Sequence, residues 1–132
     1  MAIVNKLTTL MPAFGAPTEY ITSLAQALPN TATTTTFALT GFINYIRSGR
    51  LRWKIVPPAG AAGQVTGVKV TATDGTTTVT LYQDTVARTA GENIDWLYSF
   101  ISELNLTTVN VLITTAAAGA ASTIDLEVTG NP

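Results

Sequence analysis

Asp74-Gly75 lies between residues 65–73 and 76–83, two runs dominated by Val and Thr. An Asp-Gly pair supplies the positive-φ backbone that a two-residue hairpin turn demands, while β-branched side chains are stiff in helices and pack well on a pleated sheet. The dipeptide therefore predicts an antiparallel hairpin in which Val68 and Val70 share a buried face with Val79 and Leu81. Period-two alternation recurs elsewhere. Phe37, Leu39, Gly41, Ile43 and Tyr45 fall on one strand face, Ser48-Gly49 reads as a turn, and Leu51, Trp53 and Ile55 resume the alternation. A third pair is predicted from Val109, Val111 and Ile113 followed by Ile124, Leu126 and Val128. Sequential hairpins with one apolar face each imply antiparallel sheets packed face to face, a mainly β chain built as a β-sandwich.

Two segments follow a different period. Tyr20, Ile21, Leu24, Ala25 and Leu28 recur at three-and-four spacing between Pro17 and Pro29, which predicts a short helix. Ile94, Leu97, Phe100, Ile101 and Leu104 form an apolar stripe behind Thr89 and Glu92, spaced as a capping box, so a helix is expected over 90–104. Trp96 lies off that stripe, which places it either at the margin of the core, the reading preferred, or at a contact surface. The expected architecture is α+β: an antiparallel β-sandwich of hairpins with one packed helix. Residues 1–16 contain Pro12 and cannot form a long regular element; they are expected to lie as an extended arm whose Leu7, Leu10, Met11 and Phe14 contact a surface of their own domain or of a neighbouring subunit. Residues 17–132 are expected to form a single domain.

Composition restricts the chemistry. The chain has no His and no Cys, and 11% of its residues are charged, against about 25% in a typical globular domain. A Ser-His-Asp or Cys-His arrangement, the common zinc sites and a disulfide framework are all excluded. No cofactor and no metal is expected, and the chain reads as a non-enzyme. Thr covers much of the surface that charge would otherwise cover, and a net charge of −1 gives little protection against association. A homo-oligomer or a large partner surface is the natural expectation. No stretch approaches the ~18 apolar residues of a spanning helix, and no secretion signal is read at the start of the chain, where Pro12 and Gly15 interrupt the apolar stretch.

Arg47, Arg50, Arg52 and Lys54 account for most of the cations. On a strand Arg50, Arg52 and Lys54 share a face, a stripe suited to nucleic acid or to an acidic partner, although a pI near 5.1 weighs against nucleic acid. Asp125 and Glu127 likewise share a strand face and read as a solvated pair rather than a calcium site or a catalytic pair.

The Pro-interrupted apolar arm, the Thr-rich segments around Ser48-Gly49 and Asp74-Gly75, and the small-residue loop 116–122 together resemble virion structural proteins of bacteriophages, especially small head decoration or cement proteins. The resemblance implies a non-enzymatic protein on the capsid surface that clamps neighbouring subunits of a major capsid protein, often as an oligomer. The alternative it leaves is a self-assembling coat or tube protein whose basic strand face contacts packaged nucleic acid.

Overall fold

A computed structural model describes residues 18–56, 64–88, 94–117 and 121–132. These form eight strands: β1 (Glu19–Leu28), β2 (Thr33–Leu39), β3 (Ile46–Val56), β4 (Gln64–Thr73), β5 (Thr78–Asp84), β6 (Ile94–Leu106), β7 (Thr108–Ala116) and β8 (Ser122–Asn131). Two four-stranded sheets result, ordered β1-β8-β3-β6 and β2-β7-β4-β5, and every pairing is antiparallel. Only β4 and β5 are consecutive strands in one sheet; every other connection crosses from one sheet to the other. Eight strands wound this way make a jelly roll.

The β-sandwich matches the sequence expectation, and the packed helix does not. Residues 94–106 are a strand along β3. Both periods fit this segment. Ile94, Phe100 and Leu104 satisfy a helical stripe, yet Ile94, Trp96, Tyr98, Phe100, Leu104 and Leu106 also alternate along one strand face. What blurred the alternation is that Leu97 and Ile101, on the opposite face, are apolar too. Thr89 and Glu92 lie outside the described residues. The short N-terminal helix is likewise replaced by β1. A bulge between Ser23 and Gln26, with Ala25 at φ 53°, shifts the strand's phase by one residue. Ile21 and Ser23 face inward before it and Leu28 after it, so one strand imitates helical spacing.

The hairpin expected around Ser48-Gly49 is also absent, because β2 and β3 belong to different sheets and Ser48-Gly49 is interior to β3. Gly49 serves close approach. A Cβ there would meet the carbonyl oxygen of Thr129 and stand 3.0 Å from Phe100 Cζ. The expected third hairpin fails in the same way, since β7 and β8 belong to different sheets. The Asp74-Gly75 hairpin is present. Gly75 has φ +99°, and Asp74 Oδ1 accepts from the amides of Thr76 (2.9 Å) and Thr77 (2.7 Å), which holds its carboxyl below the ordinary range.

Inward side chains from both sheets form one core: Leu51, Trp53, Ile55, Ile124, Leu126 and Val128 from one, Val70, Ala72, Val109, Val111 and Ile113 from the other. At one margin Trp96 stacks on Trp53 with centroids 6.4 Å apart, and Tyr82 of β5 packs against both. The Tyr98 hydroxyl donates to the Leu81 carbonyl at 2.6 Å, which ties edge strand β6 to edge strand β5 of the facing sheet.

Candidate docking face

Strand alternation sends Leu51, Trp53 and Ile55 into the core and turns Arg50, Arg52 and Lys54 onto the outer face of the β1-β8-β3-β6 sheet. The register then sets these cations among acids. Arg52 lies opposite Glu127 on β8, and Lys54 lies opposite Asp125 on β8 and Asp95 on β6. Arg52 grips Asp95 with two bonds, Nε to Oδ1 at 2.8 Å and Nη2 to Oδ2 at 2.7 Å, and its Nη1 stands 3.7 Å from Glu127 Oε2. That bidentate hydrogen bond, with the guanidinium charge, holds the Asp95 carboxyl below the usual range, and the same contact raises Arg52. The Tyr20 hydroxyl donates to Glu127 Oε1 at 3.0 Å, which pushes the phenol up, and Asp125 Oδ1 accepts the amide of Ala25 at the β1 bulge (2.7 Å).

Two features the sequence presented separately thus meet in one network. Asp125 and Glu127 stand beside the cationic stripe as its counter-charge. Arg50 stands opposite Thr129 and Ser99 and has no ion pair among the described residues; Arg47 sits where the β3–β6 register shifts, between the pairing of Ile46 with Leu106 and that of Ser48 with Ile101, and its Nη2 donates to the Glu103 carbonyl at 2.9 Å. Of the stripe, Arg52 is the cation held by two carboxylates, while Arg47, Arg50 and Lys54 form no ion pair among the described residues.

Exposed apolar side chains flank the network on both edge strands. Tyr20 (50% exposed) and Leu24 (54%) lie on β1; Leu97 (60%) and Ile101 (87%) lie on β6. A second apolar projection comes from the loop between β2 and β3. Glu19, only 7% exposed, accepts the backbone amides of Ile43 and Asn44, the latter at 2.9 Å. With these amides held, the loop presents Ile43 at 91% exposure and Tyr45 at 46%. The alternation of the sequence had assigned Ile43 and Tyr45 to a strand, and nothing in it marked Glu19 as their clamp.

The outer face of the other sheet has a different character. An open depression of ≈ 200 Å³ lies among Thr34, Thr114, Gly67, Lys69, Gln83 and Leu112, with no aromatic ring in its lining. Beside it Asp84 accepts from Val86 N (2.8 Å) and Arg88 Nη2 (2.8 Å), which lowers its pKa, and Arg88 lies over the Trp96 ring at 5.6 Å. The arm residues Leu7, Leu10, Met11 and Phe14 lie outside the described residues. Among the described residues no group of three acids is placed to hold a metal ion.

No family model matches the chain, and no curated protein matches it. Similar solved structures exist. A variant of CBM29-2, a family 29 carbohydrate-binding module, aligns over 89% of this chain and 85% of its own at 13% identity, with a TM-score of 0.50. A Bacillus endospore appendage protein, from a family of disulfide-linked pili, aligns over 86% of each chain at 11% identity and a TM-score of 0.45. The Yersinia pseudotuberculosis-derived mitogen aligns over 86% of each chain at 10% identity and a TM-score of 0.46. Likeness at these identities is likeness of fold: the chain shares the two-sheet architecture of the carbohydrate-binding module.

Proposed function

We propose that this chain is a non-enzymatic virion structural protein, a capsid decoration protein that binds and stabilises a lattice of a major capsid protein. The observation that carries the reading is the outer face of the β1-β8-β3-β6 sheet, where a charge network satisfied within the molecule is flanked by exposed Tyr20, Leu24, Leu97 and Ile101. Side chains held on strands lose little freedom on docking, and internally paired charges contribute register more than affinity. Ile43 and Tyr45, on their clamped loop, add apolar contacts. The arm, through Leu7, Leu10, Met11 and Phe14, is assigned to contacts between neighbouring subunits. Jelly rolls recur in viral capsid and lectin domains, an analogy of fold that agrees with the reading without identifying a partner. Repetition over a lattice turns contacts of modest area, at about 25 cal/mol/Å², into strong retention.

The alternative, a coat or tube protein with Arg50, Arg52 and Lys54 against nucleic acid, is weakened by the pairing of Arg52 with Asp95 and Glu127. Carbohydrate binding, named for CBM29-2, is not adopted: the depression on the opposite face has polar groups but no ring on which a sugar would stack. Light scattering of the purified full chain, with absorbance at 260 and 280 nm on the same peak, separates the readings. A small oligomer free of nucleic acid is expected; a megadalton particle absorbing strongly at 260 nm would make this chain the coat itself.

A further inference from the structure

We infer that Arg50 is the anchor of the docking face and takes a single carboxylate there, an Asp or Glu side chain set among apolar residues on a partner protein. The inference deepens the proposed function: it rests on the reading that this face docks a protein, and not on the identity of the lattice. The register of the β1-β8-β3-β6 sheet places Tyr20, Thr129, Arg50 and Ser99 in one row across the four strands.

Pairing within the face leaves Arg50 over. In the next row Arg52 holds both oxygens of Asp95 and stands 3.7 Å from Glu127, whose other oxygen takes the Tyr20 hydroxyl. Lys54 lies between Asp125 and Asp95 in register, and Arg47 spends its Nη2 on the Glu103 carbonyl. The row of Arg50 contains no acid, and its exposed guanidinium has no ion pair among the described residues. A guanidinium without a carboxylate keeps its planar fork of donors free, which suits two-bond capture of a carboxylate. The hydroxyls of Thr129 and Ser99, on the neighbouring strands, add donors on either side of it.

The surroundings choose among anions. Leu97 (60% exposed) and Ile101 (87%) lie diagonal to Arg50 on β6, and Tyr20 (50%) lies at the other end of its row. Once a partner covers them, these side chains keep water from the ion pair, the arrangement in which an interface Arg carries most energy. Asp95, Asp125 and Glu127 stand on the same face, paired in register with Lys54 and Arg52. They set negative charge along the path that a phosphate chain follows if it runs over Arg50, Arg52 and Lys54, and the attraction of a polyanion is summed over such a path. One carboxylate delivered at Arg50 meets no acid in its own row. The net charge of −1 likewise gives the chain no basic field to gather nucleic acid.

The test is a titration of the isotope-labelled full chain, followed by NMR at the Arg50 Nε–H and at the Ser99 and Thr129 amides, with three probes: the capped peptide Leu-Glu-Leu, its Leu-Gln-Leu counterpart, and a short oligothymidylate. Arg50→Gln is expected to leave circular dichroism and Tm unchanged, because the side chain holds no ion pair in the described fold. The acidic peptide is expected to bind, and its affinity to fall roughly tenfold when its Glu is replaced by Gln or when the chain carries Arg50→Gln. Arg50→Lys, which keeps the charge and loses the fork, should lie between. No binding of the acidic peptide, equal affinity for the two peptides, indifference to Arg50→Gln, or tighter binding of the oligothymidylate overturns the inference. Co-sedimentation of the same variants with phage heads that lack a decoration protein separates the two claims: heads bound as well by Arg50→Gln as by the wild type sink this inference alone, and selective capture of the acidic peptide by a chain that binds no head sinks the lattice reading alone.

Discussion

Replacing Gly49 tests whether β3 runs unbroken through a dipeptide that reads as a turn. A Cβ at this position meets the Thr129 carbonyl oxygen, which belongs to the backbone of the neighbouring strand, and Phe100 Cζ at 3.0 Å. The β8 backbone is fixed by pairing to β1 and β3 and cannot retreat alone. At Gly130 the added atom meets Ile46 Cγ2, Cδ1 and Cβ at 2.5, 2.7 and 3.0 Å, and Ile46 is fully buried and stiff at χ1. Overpacking a core costs about 1–3 kcal/mol, so Gly49→Ala, which meets backbone, and Gly130→Ala both belong near the upper limit, about 2–3 kcal/mol. For a domain of this size that is a fall in Tm of about 6–15 °C for Gly49→Ala. Gly49→Asn sharpens the result, because Asn is well tolerated in a left-handed turn position and larger still in a packed strand. Thermal and urea unfolding provide the readout. Should Gly49→Asn lie within about 0.5 kcal/mol of wild type, residues 48–49 would be a turn and the order β8-β3-β6 would be wrong.

Other consequences follow from single contacts. Tyr98→Phe leaves the Leu81 carbonyl without its donor and should cost about 1 kcal/mol by urea unfolding; a neutral result would mean the two sheet edges are not tied there. Glu19→Ala frees the amides of Ile43 and Asn44, so hydrogen exchange at these two positions should accelerate while β3 stays protected; unchanged exchange would remove the clamp. Asp74, Asp84 and Asp95 are all held below their ordinary pKa, so their contribution is full above the unfolded value near ~3.9 and is lost as pH falls through the lower folded values. With no His in the chain, Tm should be level from about pH 7 to 5 and drop below about pH 4; a step near pH 6.5 would contradict this.

The local alternation was legible and its partners were not. Leu51, Trp53 and Ile55, and likewise Ile124, Leu126 and Val128, face the core as their spacing required, because a period of two depends only on neighbours along the chain. Pairing depends on which strands cross between sheets, and only the Asp74-Gly75 turn carries a local signal strong enough to fix it. Ser48-Gly49 has the composition of a turn, yet its glycine answers to contact with Thr129 and Phe100, residues far away in sequence. The helices were misread where a strand departs from strict alternation, through a bulge in β1 and outward apolar residues in β6. The candidate face was half legible. Its cations and its acids were each visible as strand stripes, but the register that pairs Arg52 with Glu127 and Lys54 with Asp125 is a property of the sheet. The Glu19 clamp had no sequence signature at all, since a lone carboxylate beside an apolar residue is ordinary until its partners, 24 and 25 residues on, are known.

The most direct test of the proposed role is co-sedimentation of the purified chain with intact phage heads that lack a decoration protein, at low and high salt. Saturable, stoichiometric binding that survives high salt, and that is lost when residues 1–16 are removed or Leu97 and Ile101 are both replaced by Lys, is the expected result. Absence of binding, or binding that disappears with salt and returns with added DNA, would contradict a decoration protein docked through apolar contacts.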